Sequence, residues 1–162
     1  MIEGGRQWLT VAAVGGTGTM GGFLFAFSTI AMSGLRAAPE GAGLRVMQAI
    51  NTAANRSAGL FVALFGTAAA CVALTVGALT DLDGPGSVHL LVGSVLYLVG
   101  GLGVTVGFHI PRNEALNGVD PDAPGSEDAW RAYAGPWTVG NHVRTAACLA
   151  ATLAFALALR AT

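Results

Sequence analysis

The chain has 162 residues, of which 53% are apolar and only 10% charged, with eight Arg, no Lys and a net charge of −1. A water-soluble domain carries about 25% charged residues to coat its surface, so this composition excludes an ordinary soluble globule and, lacking a basic patch, a nucleic-acid partner. It points instead to one membrane domain over residues 1–162.

Four apolar runs, at residues 8–32, 58–79, 88–109 and 136–159, each have roughly the 20 residues a helix needs to cross a bilayer core. Backbone polar groups there must be satisfied within each segment, which leaves helices. The predicted fold is all-α: a four-transmembrane-helix bundle with a short amphipathic helix between the first and second spans. In the first run Gly16, Gly18 and Gly21 have the G-x-G-x-x-G spacing of a dinucleotide-binding turn. The residues that follow, FLFAFSTIAM, are apolar on every side, where that fold needs an amphipathic helix. Close helix packing through Gly18 and Gly22 is the better reading, and Gly103 with Gly107 repeats the pattern in the third run. Cys71 and Cys148 fall mid-run, as reduced thiols packing like small hydrophobes.

Residues 33–57 contain Gln48, Asn51 and Asn55 on one helical face beside Leu44, Val46, Met47 and Ile50. Taken alone, that is an interfacial helix with its amides toward water. The acidic turn TDLDGPGS at 80–87 reverses the chain. The third run ends at His109, which shares a face with Thr105, and Pro111 biases Ile110 away from helix. A polar loop with two prolines follows at 117–126, and Pro136 is placed to open the fourth helix, where its missing N–H costs nothing. In that helix Trp137, Asn141, Arg144 and Cys148 fall on one face, while His142 leaves the axis about 160° from Arg144.

Alternate crossing of the membrane gathers Gln48, Asn51, His109, Asn113, Asn141, His142 and Arg144 near one mouth of the bundle. His89 falls at the other end, about 30 Å away across the hydrocarbon core. Ionisable groups within a membrane segment mark functional sites. The loops on the mouth side carry six of the eight Arg, which by the positive-inside rule puts that face in the cytoplasm.

MQAIN at Met47–Asn51, HIPRNEAL at His109–Leu116 and the pattern W-x2-Y-x3-W-x3-NHVRT from Trp130 to Thr145 resemble the anthrone oxygenase-like family of small membrane proteins. So does the glycine-rich first run with its F-x-F-S at Phe25–Ser28. The resemblance covers nearly the whole chain. It implies oxidation of an anthrone to an anthraquinone with molecular oxygen as co-substrate, no cofactor, and a lipophilic aromatic substrate met in the lipid bilayer. On this reading His142 is the base that removes a methylene proton, imidazole being poised near neutral pH. Arg144, Asn141 and Asn113 donate to the enolate oxygen. Tyr133 and Trp137 hold the flat ring, with Gln48 and Asn51 beside them. The family usually has Asn where this chain has His109 and Leu where it has Arg112, so His109 inherits no role and stands as a second candidate base on residue type alone. Two alternatives stay open: a metal between His109 and His142 with Glu114, making a metal-dependent oxidoreductase, and a non-catalytic bundle that binds a lipophilic small molecule. Nothing in the pattern sets an oligomeric state.

Overall fold

A computed structural model describes residues 3–161, and among these every regular element is helical. In chain order they are α1 (Gly4–Ala37), α2 (Ala42–Arg56), α3 (Ala58–Leu79), α4 (Ser87–Asn117) and α5 (Ser126–Ala161); all but α2 are long and apolar enough to cross a membrane. The chain is thus a multi-pass membrane protein with a short helix between its first two spans. That α2 is distinct follows from sequence: it alternates apolar and polar positions at helical spacing, and Gly41 before it takes φ 76°, a turn a side chain would resist.

The longest helices form the spine. α1 lies along α5, α5 also packs on α4, and α3 fills the space against α1 and α4. Their shared core is Met20, Leu24, Cys71, Leu74, Leu90, Tyr97, Cys148 and Phe155. Glycine permits the close approaches, though not at the pairs read from spacing. A Cβ at Gly93 would stand 2.9 Å from the Phe155 ring and one at Gly21 would stand 2.8 Å from Leu149, whereas Gly22 and Gly107 have nothing within 4 Å. These spans carry glycine on several faces, so spacing alone does not show which face meets a neighbour.

The two prolines are also accommodated rather than obeyed. Residues Thr105–His109 form a π turn, and Pro111 enters as the second residue of the α-helical segment Ile110–Asn117, where a missing N–H is tolerated. The third span therefore runs on to Asn117 instead of stopping at His109. Pro136 lies inside α5, which is unbroken from Ser126. Near it Arg36, from the end of α1, donates to Ala134 O (2.6 Å) and Thr138 Oγ1 (2.7 Å) and so ties α1 to α5, while the carbonyl that loses its helical donor to Pro136 is that of Ala132.

The two ends of the bundle differ. At one, Arg6 ties α1 to the α3–α4 turn through Pro85 O (2.7 Å) and Ser87 Oγ (3.2 Å). His89 is exposed there, in the first turns of α4, some 20 residues or roughly 30 Å of helical rise from His109. At the other end, a second cluster of Met32, Leu44, Met47, Leu116, Trp130, Tyr133 and Trp137 seats α2 across the bundle. Polar ties fasten it, among them Asn51 Nδ2 donating to Asn117 Oδ1 (3.3 Å). Gln48 Nε2 donates to Leu116 O (2.9 Å) and Val119 O (2.8 Å), Gly41 N donates to Glu127 Oε2 (3.2 Å), and Arg45 pairs with Asp122.

Candidate active site

Between the bundle core and α2 lies a cavity of about 250 Å³ with one polar wall. α5 builds that wall from the face that carries Trp137, Asn141 and Arg144. Asn141 is fully buried; its Nδ2 donates to Leu24 O (2.7 Å) and Ser28 Oγ (2.6 Å) on α1, and its Oδ1 accepts from Arg144 Nη2. Arg144 Nη1 donates to Thr105 Oγ1 on α4 (3.1 Å), and its guanidinium carbon lies 5.6 Å from the Trp137 ring centroid. An Arg at mid-span costs about 2.5–3.5 kcal/mol even on the mildest scale. These neutral partners offset part of that cost without cancelling the charge. Arg144 lines the cavity and its Nε has no partner among the described residues, so the site keeps a fixed positive group with unused donor capacity.

Opposite, α4 supplies His109 and Asn113. His109 is 1% exposed, yet neither ring nitrogen has a hydrogen-bond partner among the described residues. Its ring stands edge-on to Trp137 (centroids 5.1 Å apart, 86°) and to Phe108 (5.2 Å, 68°). Gly140 makes room for it: a Cβ there would lie 3.0 Å from Nε2. A buried polar group left unpaired costs about 1–3 kcal/mol and calls for an explanation. Asn113 is turned the other way. Its Oδ1 accepts from Tyr133 Oη (2.8 Å) and Trp137 Nε1 (2.9 Å). Indole N–H can only donate, so this fixes the amide and leaves the NH₂ group as the end not held by α5. Asn51 of α2 completes the polar rim.

Three π turns open onto this cavity. Phe27–Ala31 contributes Phe27, Val62–Gly66 contributes Leu64 and Phe65, and Thr105–His109 contributes its two end residues. Such turns bulge a helix toward a site and recur where function does.

The structure brings Asn51, His109, Asn113, Trp137 and Arg144 to one cavity, as expected. Asn141 stands directly behind Arg144 rather than on the surface of the cavity, and Tyr133 behind Asn113. Gln48 is a clamp holding α2 to the α4–α5 loop. His142 must be corrected: it is exposed on the outer face of α5, away from the cavity, as its angular offset from Arg144 on a regular helix requires. Of the metal set read from sequence, His142 is thus apart from the buried His109. Glu114 is also exposed, and no three His, Cys, Asp or Glu side chains converge among the described residues. Sequence reading missed Ser28 and the Leu24 carbonyl, though a serine flanked by apolar residues was a signal for the first. It also missed Gly140, whose role shows only in what a side chain there would strike.

A family model described as anthrone oxygenase matches residues 58–154, more than half of the chain. The chain belongs to the anthrone oxygenase family. The matched region contains His109, Asn113, Trp137, Asn141 and Arg144, and α1 and α2 outside it supply Leu24, Ser28 and Asn51. No curated protein and no solved structure matches the chain. Membership in the anthrone oxygenase family carries an oxygenase-type function for this membrane bundle.

Proposed function

We propose that the protein oxidises an anthrone-like polycyclic aromatic ketone with O₂, using His109 as the base and Arg144 with Asn113 as donors to the ketone oxygen. The observation that carries this reading is the buried His109 imidazole, whose ring nitrogens have no hydrogen-bond partner among the described residues, on the wall of the same cavity as a buried guanidinium.

The chemistry suits the groups. The methylene of an anthrone lies between two aryl rings and across the central ring from the ketone, so its proton is acidic for a C–H. A free imidazole nitrogen takes that proton, and the electron pair moves into the ring system to make an aryl enolate. The negative charge gathers on the ketone oxygen, where the Arg144 guanidinium and the Asn113 amide donate to it. Fixed donors aimed at developing charge in a site shielded from water are commonly the largest single source of rate enhancement. The electron-rich anion reduces O₂ and forms a C–O bond at the former methylene. The peroxide takes a proton from the imidazolium. Loss of the second C–H proton with O–O cleavage then gives the new carbonyl and water. Methylene and O₂ become carbonyl and H₂O, so the route requires no added reductant. Trp137, Phe27 and Leu24 give the ring flat apolar surface.

The test is O₂ uptake with anthrone by purified wild type, His109→Ala and His142→Ala in lipid vesicles, before and after chelator treatment. Loss in His109→Ala alone, with wild type insensitive to chelator, supports the reading. Wild-type turnover in His109→Ala refutes the assigned base, and chelator-sensitive turnover restored by iron or copper refutes the metal-free route.

A further inference from the structure

We propose that this cavity is loaded sideways from the bilayer, through a gap between the start of α3 and the end of α4, and that Phe61 and Phe65 are the gate. This rests on the substrate class just proposed and adds the path that substrate takes.

Two sets of observations meet here. The first concerns the end facing water, which α2 largely covers; where the cavity wall reaches the surface there it is formed by the polar, exposed Asn55 and Ser57. α2 lies across that end with Met47 and Asn51 buried, and its polar ties to α4, α5 and the loop between them hold it down at both its start and its middle. A flat apolar molecule arriving from water would have to break that set. The second concerns the side. The α3–α4 hairpin is held at depth by Tyr97 Oη donating to Leu64 O (3.0 Å) and Ser94 Oγ to Cys71 O (3.1 Å). Nearer the site the two helices part: the first turns of α3 lean on α1, with no comparable packing against the last turns of α4.

The residues at that parting line the cavity and face outward at once. Phe61 is 63% exposed, Phe65 41% and Ile110 40%, yet all three belong to the cavity wall. Wall residues open to the surrounding lipid outline the opening, and Phe23 of α1, also on the wall and 43% exposed, is one more of them. Phe61 and Phe65 lie against each other one turn apart, centroids 4.6 Å apart and rings tilted by 41°, so displacing one displaces the other. Phe61 stands just before the π turn Val62–Gly66 and Phe65 within it, and glycine stands at both Gly59 and Gly66, so the rings can shift about the Leu64 carbonyl that Tyr97 holds. The occupant this fits is a planar, uncharged aromatic ketone. It concentrates in hydrocarbon, passes the two phenyl rings, and meets the charged Arg144 on the cavity wall.

The experiment uses full-length protein in phosphatidylcholine vesicles and anthraquinone, a flat aromatic ketone without a reactive methylene. Association and dissociation are followed by quenching of Trp fluorescence. In Phe61→Ala and Phe65→Ala both rates should rise by about tenfold while Kd stays within about threefold, since a gate alters the path and not the end states. Val76→Ala, exposed on the same helix far from the site, should change neither rate. Unchanged rates in both Phe variants overturn the gate, as does a loss of affinity with unchanged association, which would make the rings plain binding wall. Ala53→Trp on the outer side of α2 should be neutral; slowing there instead of at α3 would move the path to the water side. Absence of anthraquinone binding to the wild type would overturn the portal and the substrate class together. Binding with gated rates but no turnover of anthrone would leave the portal standing and remove the oxygenase reading alone.

Discussion

Gly140→Ala separates the role of His109 from the stability of the fold. The added Cβ would lie 2.6 Å from Phe108 Cε1, 2.9 Å from Phe108 Cδ1 and 3.0 Å from His109 Nε2. Carbon atoms rest at about 3.5–4.0 Å, so the Phe108 and His109 rings must retreat by roughly 1 Å. Replacing a helical glycine by alanine gains about 0.8–1 kcal/mol of helix propensity, while overpacking costs about 1–3 kcal/mol. The net change is a destabilisation of at most about 2 kcal/mol, which a four-span bundle survives. Catalysis is less forgiving: a misplacement of about 1 Å costs on the order of 100-fold. Thermal unfolding in detergent and O₂ uptake with anthrone should therefore diverge, with a small shift in the first and a fall of about 100-fold in the second. Gly22→Ala is the control, since a Cβ there meets nothing within 4 Å and no proline follows it, and it should keep full activity. A folded Gly140→Ala protein turning over at the wild-type rate would refute the assignment of His109.

Further outcomes follow from the same geometry. Arg144→Leu should still insert, leucine being favoured in a span, but kcat should fall by about 100–1,000-fold with the loss of the main donor to the enolate. Asn141→Leu should give a similar fall in activity with a larger loss of stability, because it frees Arg144 and strands the Leu24 carbonyl and Ser28; the activity and unfolding measurements on one preparation check both. Tyr133→Phe leaves Trp137 still holding Asn113, so it should cost only about 0.5–1.5 kcal/mol of stability and spare most of the turnover. His142→Ala should leave O₂ uptake unchanged.

The four spans were readable because a bilayer imposes length and apolarity on a helix, and no packing detail overrides that. The helix ends were not. Pro111 and Pro136 were read as boundaries from local stereochemistry, but a π turn absorbs the first and Arg36, nearly a hundred residues away, supports the region of the second. The polar face of α5 was readable by periodicity alone, and Asn141 and Arg144 do bond to each other. His142 was favoured because it adjoins them in the motif NHVRT, although its direction on the helix already pointed elsewhere. His109 carried no inherited role, and its claim rests on burial without a partner, a property of assembled neighbours that no sequence pattern displays.

The central claim is that an imidazole from α4 removes a proton before O₂ takes part. It is tested most directly by anaerobic hydrogen–deuterium exchange at the anthrone methylene, followed by NMR in deuterated buffer with protein in vesicles. The account predicts exchange well above the buffer rate with wild type and His142→Ala, and exchange at the buffer rate with His109→Ala. Undiminished exchange in His109→Ala, or wild type that consumes O₂ with anthrone yet catalyses no exchange without it, would contradict the account.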